Sequence, residues 1–265
     1  MSRIALILFL VLVQLCAGVS ARADEVRTGT LTGQFKIKGD GPLADGQVFL
    51  FRKSSGPPPW PGRYWRVPDE IVTTDGEGRF TAQLIEGTYY MGAGKRPAGK
   101  GIGPLRDGDY YLPSEDRTGK MWEFTVKGGE TTTAGTIASV ILYKRDAARE
   151  EGSLTAIGGT VTDAGGKPVE GIMVFAFVTP GMVGKPLYVS ERTGKDGRYL
   201  LRVHSGGTYY LKARDLYGGG APKAGEFVGG HGKTEAAPVV VKSGETVKGI
   251  DFWGVRFEGR GPGRK

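Results

Sequence analysis

Apolar and polar residues alternate over short runs along most of the chain, and clusters of Gly, Asp and Pro separate the runs. Alternation with a period of two predicts β-strands, because successive side chains of a strand point to opposite faces. The clearest stretch is residues 159–252, which contains GTVTDAGGKPVEGIMVFAF, GKDGRYLLRV and GGTYYLKAR. Short strands joined by such turns indicate an all-β sandwich.

The first half of the chain repeats this pattern with longer loops. The turn motifs that occur in the same order in both halves are PLADG (42–46) and PVEG (168–171), GEGRF (76–80) and KDGRY (195–199), GTYY (87–90 and 207–210), and KGGET (127–131) and KSGET (242–246). Insertions that fall between strands leave a sandwich intact. We therefore predict two tandem β-sandwich domains.

The domain limits follow from changes in composition. The sandwiches are expected at residues 24–143 and 154–256. Residues 144–153 (KRDAAREEGS) carry both charge signs and lack β-branched residues, which is typical of a hydrated linker. Residues 257–265 are rich in Gly and basic residues, which predicts a disordered tail, either solvated or in contact with an anionic glycan or lipopolysaccharide.

Residues 1–23 have the features of a signal peptide. Arg3 precedes an uninterrupted apolar run, and Ala21-Arg22-Ala23 suits cleavage before Asp24. A membrane anchor is the alternative, but the run is short for a bilayer span. Lipidation at Cys16 is disfavoured because Leu15 stands where a small residue is needed.

Cleavage would leave a chain without cysteine, since Cys16 is the only one. An exported protein without disulfides is typical of the bacterial envelope, periplasmic or at the cell surface, with no membrane span after cleavage. The absence of cysteine excludes covalent haem attachment and thiolate metal sites. The net charge of +8 is scattered, and without a basic patch interleaved with aromatic residues we expect no nucleic-acid partner.

The turn and strand motifs of the second half resemble the carboxypeptidase regulatory-like domain family, a transthyretin-like (prealbumin-like) sandwich. The resemblance implies that the two tandem domains are seven-stranded Greek-key β-sandwiches. The resemblance is carried by GTVTDAGGKPV (159–169), DGRY (196–199), GTYY (207–210) and SGETVKGIDF (243–252). The first half, residues 29–137, matches less well, because its second loop is expanded and GIDF is replaced by GTI. The resemblance implies an accessory module of exported proteins, serving as a spacer, a stability element or a binding surface, and not a peptidase.

The residue types that carry catalysis are sparse. His204 and His231 have no carboxylate in a register suited to zinc, and there is no GxSxG nucleophile elbow. A calcium site on the loop carboxylates Asp75, Glu77, Asp107 and Asp109 is the alternative to ordinary turn-forming acids. We therefore predict no catalytic residue, no metal and no cofactor, and a metal-dependent hydrolase is the least favoured function.

The candidate binding residues are aromatic and lie in loops. A proline-rich loop at residues 52–70 carries Trp60, Arg63, Tyr64, Trp65 and Arg66, and the Gly-rich connection at 94–120, expected to be a loop, carries a pair of tyrosines, Tyr110 and Tyr111. Flat rings on a rigid loop can stack on sugars or pack against a protein. The alternative is that Trp60 and Trp65 fold back over the edge of the sandwich.

The sequence thus predicts a non-catalytic structural or interaction module of the cell envelope. Its expected partner is a protein or a glycan bound through the loop surfaces. A carbohydrate-binding protein that uses the Trp60, Tyr64 and Trp65 loop is the second hypothesis.

Overall fold

The computed structural model describes residues 26–97, 102–145, 154–218, 220–232 and 237–259. Within these ranges every regular element is a β-strand except one 3-10 turn at Lys53–Ser55. The predicted all-β class is therefore confirmed. The predicted signal peptide (1–23), most of the linker (146–153) and the end of the tail (260–265) lie outside the described residues.

One sheet is built from the first half of the chain. Its strands are β1 (Thr28–Ile37), β2 (Gln47–Arg52), β3 (Glu70–Thr73), β4 (Arg79–Ile85), β5 (Gly87–Lys95), β6 (Tyr110–Tyr111), β7 (Glu123–Val126) and β8 (Thr131–Leu142). They are ordered β3-β2-β5-β6-β8-β1-β4, and β7 pairs with β5 beside this path. The connection at 94–120 is not wholly a loop as expected, because Tyr110 and Tyr111 pair with both β5 and β8.

The second half of the chain builds the other sheet. Its strands are β9 (Ala156–Asp163), β10 (Met173–Phe177), β11 (Tyr188–Val189), β12 (Arg198–Arg202), β13 (Gly207–Arg214), β14 (Phe227–Gly230), β15 (Val239–Val241), β16 (Thr246–Val247) and β17 (Phe252–Arg256). The path is β11-β10-β13-β14-β17-β9-β12, with β15 on β13 and β16 on β9. Each path contains seven strands in equivalent order, and in each sheet the first strand pairs in parallel with the last.

The same glycine turn fixes the fourth strand in both sheets. Phe35 donates its backbone N–H to the carbonyl of Gly78, and Val161 donates to that of Gly197. Both glycines have positive φ, +75° and +69°, a conformation that glycine adopts without strain. A Cβ atom would lie 2.3 Å from the carbonyl oxygen of Phe35 at the first position and 2.6 Å from that of Val161 at the second. Close approach and conformation together require glycine.

Each sheet folds over on itself to enclose a core. In the first half, alternate residues of β1 and β4 face those of β2 and β5, with Leu31, Phe35 and Leu50 among the fully buried side chains. The core of the second half is built in the same way around Ile157 and Leu211, and it also contains Tyr64 from the first half. Tyr64 is therefore part of a contact between the two halves.

Candidate functional site

Residues 57–68, here called the strap, leave the first half between the 3-10 turn and β3 and lie against the second half. The backbone N–H of Val67 donates to the carbonyl of Leu187 at 3.1 Å, and Val189 donates to that of Trp65 at the same distance. Arg66 stands opposite Tyr188 in this short antiparallel bridge. The strap therefore adds a strand beside β11, the edge strand of the second sheet. The bridge forms in the part of the strap that is free of proline, where backbone donors remain.

Tyr64 fastens the strap to the second core. Its side chain is only 6% exposed. Its ring meets that of Tyr188 edge-on at 6.1 Å between centroids and that of His204 at 5.2 Å. Burial raises the pKa of Tyr64 to about 12. Three residues further on, Val67 packs into a second apolar cluster that includes Phe175 of β10.

Arg66 holds the base of the strap to the first half. Its guanidinium Nη1 donates to the carbonyls of Gly56 and Pro57 at 2.8 and 2.9 Å, and Nη2 donates to Asp69 at 3.4 Å. The guanidinium also lies 5.5 Å from the centre of the Phe51 ring, a cation–π distance. Burial lowers the pKa of Arg66. The Arg66 side chain therefore connects the backbone at the start of the strap with Asp69, which follows the end of the strap.

Two cavities border the contact between the halves. The first, of about 90 Å³, is mostly apolar and is enclosed by the strap prolines, Trp65, the outer faces of β2 and β5, and Tyr217 of the second half. The second, of about 260 Å³, is polar and contains four arginines and two carboxylates. The segment 102–105 lines both cavities and separates them. Neither cavity was foreseen from the sequence, because each is made of residues from both halves.

The loop residues predicted to bind a partner differ in their exposure to solvent. Tyr64 and Arg66 are buried and Trp65 is half-buried, so these three do not form the expected open face. The reason is that the second core and β11 use them. Trp60, 38% exposed, and Arg63 remain at the tip of the strap, where Trp60 and Tyr64 pair through their backbones.

Tyr110 and Tyr111 lie in β6, away from the strap tip. Both are half-buried, and the ring of Tyr111 meets that of Tyr143 edge-on at 5.3 Å. Tyr111 lines the apolar cavity and Tyr110 does not. The structure therefore brings Tyr111 together with Trp65 and Arg66 around one cavity, and leaves Trp60 and Arg63 on the surface.

The histidines and loop carboxylates have local partners. The ring of His204 contacts Tyr64, and Nδ1 of His231 lies 3.1 Å from the carbonyl oxygen of Asp251. Asp75 accepts the backbone N–H groups of Glu77 and Arg79, which is the turn-forming role. No group of three or more His, Cys, Asp or Glu suited to a metal ion occurs among the residues described.

Two buried arginine–carboxylate pairs clamp equivalent loops. Arg96 follows β5 and binds Asp109, which immediately precedes β6. Arg214 ends β13 and binds Glu226, which immediately precedes β14. Asp109 and both residues of the second pair are less than a tenth exposed. Sequence reasoning missed these pairs, because their members are separated by irregular loops.

Comparison with known proteins gives distant structural matches only. No family model and no curated protein matches the chain. A Bacillus anthracis TIE protein is 12% identical, with 88% of this chain and 34% of that chain covered and a TM-score of 0.27. A streptococcal ancillary pilin is 17% identical (87% and 63% covered, TM-score 0.25), and the minor pilin of Streptococcus agalactiae is 13% identical (89% and 100%, TM-score 0.23). The chain spans less than two thirds of the first two proteins, so functional interpretation rests on its own contacts.

Within the described ranges, no helix is long and apolar enough to cross a membrane.

Proposed function

We propose that the chain is a non-catalytic structural and interaction module of the bacterial cell envelope, exported and made of two tandem transthyretin-like sandwiches of the carboxypeptidase regulatory-like kind. The equivalent strand orders support the duplication, as do the matching glycine turns at Gly78 and Gly197. The resemblance of the second half supports the family.

The insertion of Tyr64 into the second core is the observation that carries this proposal. Domains of one chain usually move relative to each other unless their interface is large and apolar. Here a core residue and a β-bridge join them, and Arg145 adds an ion pair to Glu191 at 2.7 Å. Such a joint keeps two sandwiches in one arrangement, which suits a spacer that presents partner-binding loops at a fixed separation.

The strap tip is the part of the predicted binding loop that a partner can reach. Trp60 presents an exposed ring beside the exposed Arg63. A ring next to a cation can stack on a sugar or pack against a protein surface. We place the protein or glycan contact of the module here.

Proximity crosslinking of the protein in its native envelope tests this function. We expect a defined set of partners that Trp60→Ala loses. Trp253→Ala, at another exposed tryptophan (58%), is the matched control and keeps them. If the Trp60 variant retains every crosslink, the strap tip is not the contact.

A glycan array separates the second candidate from the first. The exposed ring of Trp60 favours carbohydrate binding, and loss of array signal in Trp60→Ala but not in Trp253→Ala would identify a glycan as the partner. The hydrolase alternative predicts a metal in the purified protein and an activity that a chelator abolishes.

A further inference from the structure

The polar cavity between the halves has an excess of positive charge. Its walls carry four arginines against two carboxylates, Asp107 and Glu191. Both halves contribute, since the segment 102–107 and Arg145 face Glu191 and Arg192. The four guanidiniums are Arg96, Arg106, Arg145 and Arg192.

Two of these arginines are neutralised inside the protein. Arg96 makes a bidentate contact with Asp109, with Nη2 at 2.7 Å from Oδ2. Arg145 donates to both oxygens of Glu191 at 2.8 and 2.7 Å. Arg202 also approaches Glu191, at 3.5 Å. The carboxylates of Asp109 and Glu191 are therefore engaged by arginines, and that of Asp107 accepts the backbone N–H of Arg145 at 2.6 Å.

The other two arginines have no carboxylate partner among the described residues. Arg192 lines the cavity and donates from Nη1 to the carbonyls of Gly171 and Asp215, and its Nη2 makes no hydrogen bond to another described residue. Arg106 is exposed and lines the same cavity, and its guanidinium makes no hydrogen bond to the described part of the chain. Burial lowers the pKa of Arg192, the charges of Arg106 and Arg96 lower it further, and the charge of Asp215 acts in the opposite direction.

We propose that this cleft is an oxyanion-binding site in which Arg106 and Arg192 hold one phosphate, sulfate or carboxylate group between them. A guanidinium fork matches the two oxygens of such a group and binds it through paired, charge-assisted hydrogen bonds. A bound anion would also remove the repulsion between the two arginines. The volume of about 260 Å³ leaves room for a group carried on a larger molecule, such as an acidic sugar.

Titration calorimetry and thermal melting of the full chain test the site with inorganic phosphate, sulfate and glucuronate, each against chloride at equal ionic strength. Constant ionic strength removes general screening from the comparison. A ligand that binds only the folded state raises the melting temperature as its concentration exceeds Kd. Preference for glucuronate would assign the anion to a glycan, and preference for phosphate or sulfate to a free or esterified ion.

Arg192→Gln and Arg106→Gln are the diagnostic variants, and we expect each to weaken binding about tenfold or more. Arg106→Gln protects the test against misfolding, because its guanidinium holds no other described residue in place. Arg198→Gln, on a side chain 81% exposed and outside the cleft, is the control and should bind normally. Absence of saturable binding by all three anions, or equal affinity in wild type and both cleft variants, would overturn the proposal.

Discussion

Replacing Tyr64 by alanine should destabilise the second half of the protein, although the substitution is made in the first. A buried aromatic side chain removes about 150–250 Å² from water, which at roughly 25 cal/mol per Å² is about 4–6 kcal/mol. Measured losses for buried aromatic-to-alanine changes are about 3–5 kcal/mol. Because Tyr64 is 6% exposed and meets two rings, we expect about 4 kcal/mol. A loss of that size is a large part of the roughly 5–15 kcal/mol that stabilises a typical protein.

Urea unfolding, followed by a spectroscopic signal from the tyrosines of the second half, measures this loss of unfolding free energy. Tyr64→Phe keeps the ring, and its hydroxyl makes no hydrogen bond to another described residue, so that variant should lie within about 0.5 kcal/mol of wild type. Small-angle scattering should show a broader range of shapes for Tyr64→Ala than for Tyr64→Phe. If Tyr64→Ala unfolds with wild-type stability and keeps the wild-type scattering curve, the strap does not join the halves.

Three further outcomes follow from buried groups. Burial raises the pKa of Tyr188 from 10.0 to about 12. The stability that the neutral Tyr188 side chain contributes is therefore complete below pH 10 and is lost as the pH rises from 10 through 12. Unfolding free energies and tyrosinate absorbance measured across this pH range check the prediction. Gly197→Ala combines a positive φ with a Cβ 2.6 Å from the Val161 oxygen, and urea unfolding should show a loss of about 3 kcal/mol. Glu226→Ala strands the cation of Arg214 and should cost about 3–5 kcal/mol by the same assay.

Controls separate the causes in each case. Tyr188→Phe should reduce the alkaline loss of stability, leaving the part that Tyr64 contributes, and an unchanged profile would assign the loss to other groups. Gly39 also has a positive φ (+78°), but a Cβ atom there would meet no atom within 4 Å. Gly39→Ala should therefore lower the free energy of unfolding by about 1 kcal/mol. If Gly197→Ala lowers it by the same amount, the clash with the Val161 oxygen makes no contribution. The double change Arg214→Met with Glu226→Leu should recover most of the loss, because an apolar pair can replace a buried ion pair.

The strands were largely predictable from the sequence, because strands such as β4 alternate in polarity and turn motifs with Gly or Asp separate the strands. The strand β10 is instead a short, wholly apolar run. The turn motif GEGRF (76–80), for example, leads directly into β4. The short strand β6 was missed since two tyrosines in a Gly-rich connection carry no periodic signal. It exists because the long strand β5 leaves part of its edge open beside β8, and Tyr110 and Tyr111 fill that place.

The sequence singles out the aromatic residues of the proline-rich loop, but their contacts could not be predicted from it. Composition shows that Tyr64 and Trp65 are aromatic residues in a rigid loop. It does not show which surface they meet, and that surface belongs to residues more than a hundred positions later, such as Tyr188. Of the two tryptophans for which the sequence left folding back open, Trp65 packs against the apolar cluster of the other half, whereas Trp60 remains exposed. Non-local contacts of this kind have no signature in local pattern.

The strap has a consequence for assembly of the chain. The strap is synthesised long before β11. During folding it is therefore an unpaired apolar segment that is able to pair with an edge strand. The edge it needs is identical in every copy of the protein, and at high concentration the nearest one can belong to a neighbouring molecule. Exchange of the strap between two chains would satisfy every contact described for Tyr64 and Val67 while linking the molecules as a swapped dimer. The contact that joins the two halves of one chain is therefore also the place where two chains can exchange a segment.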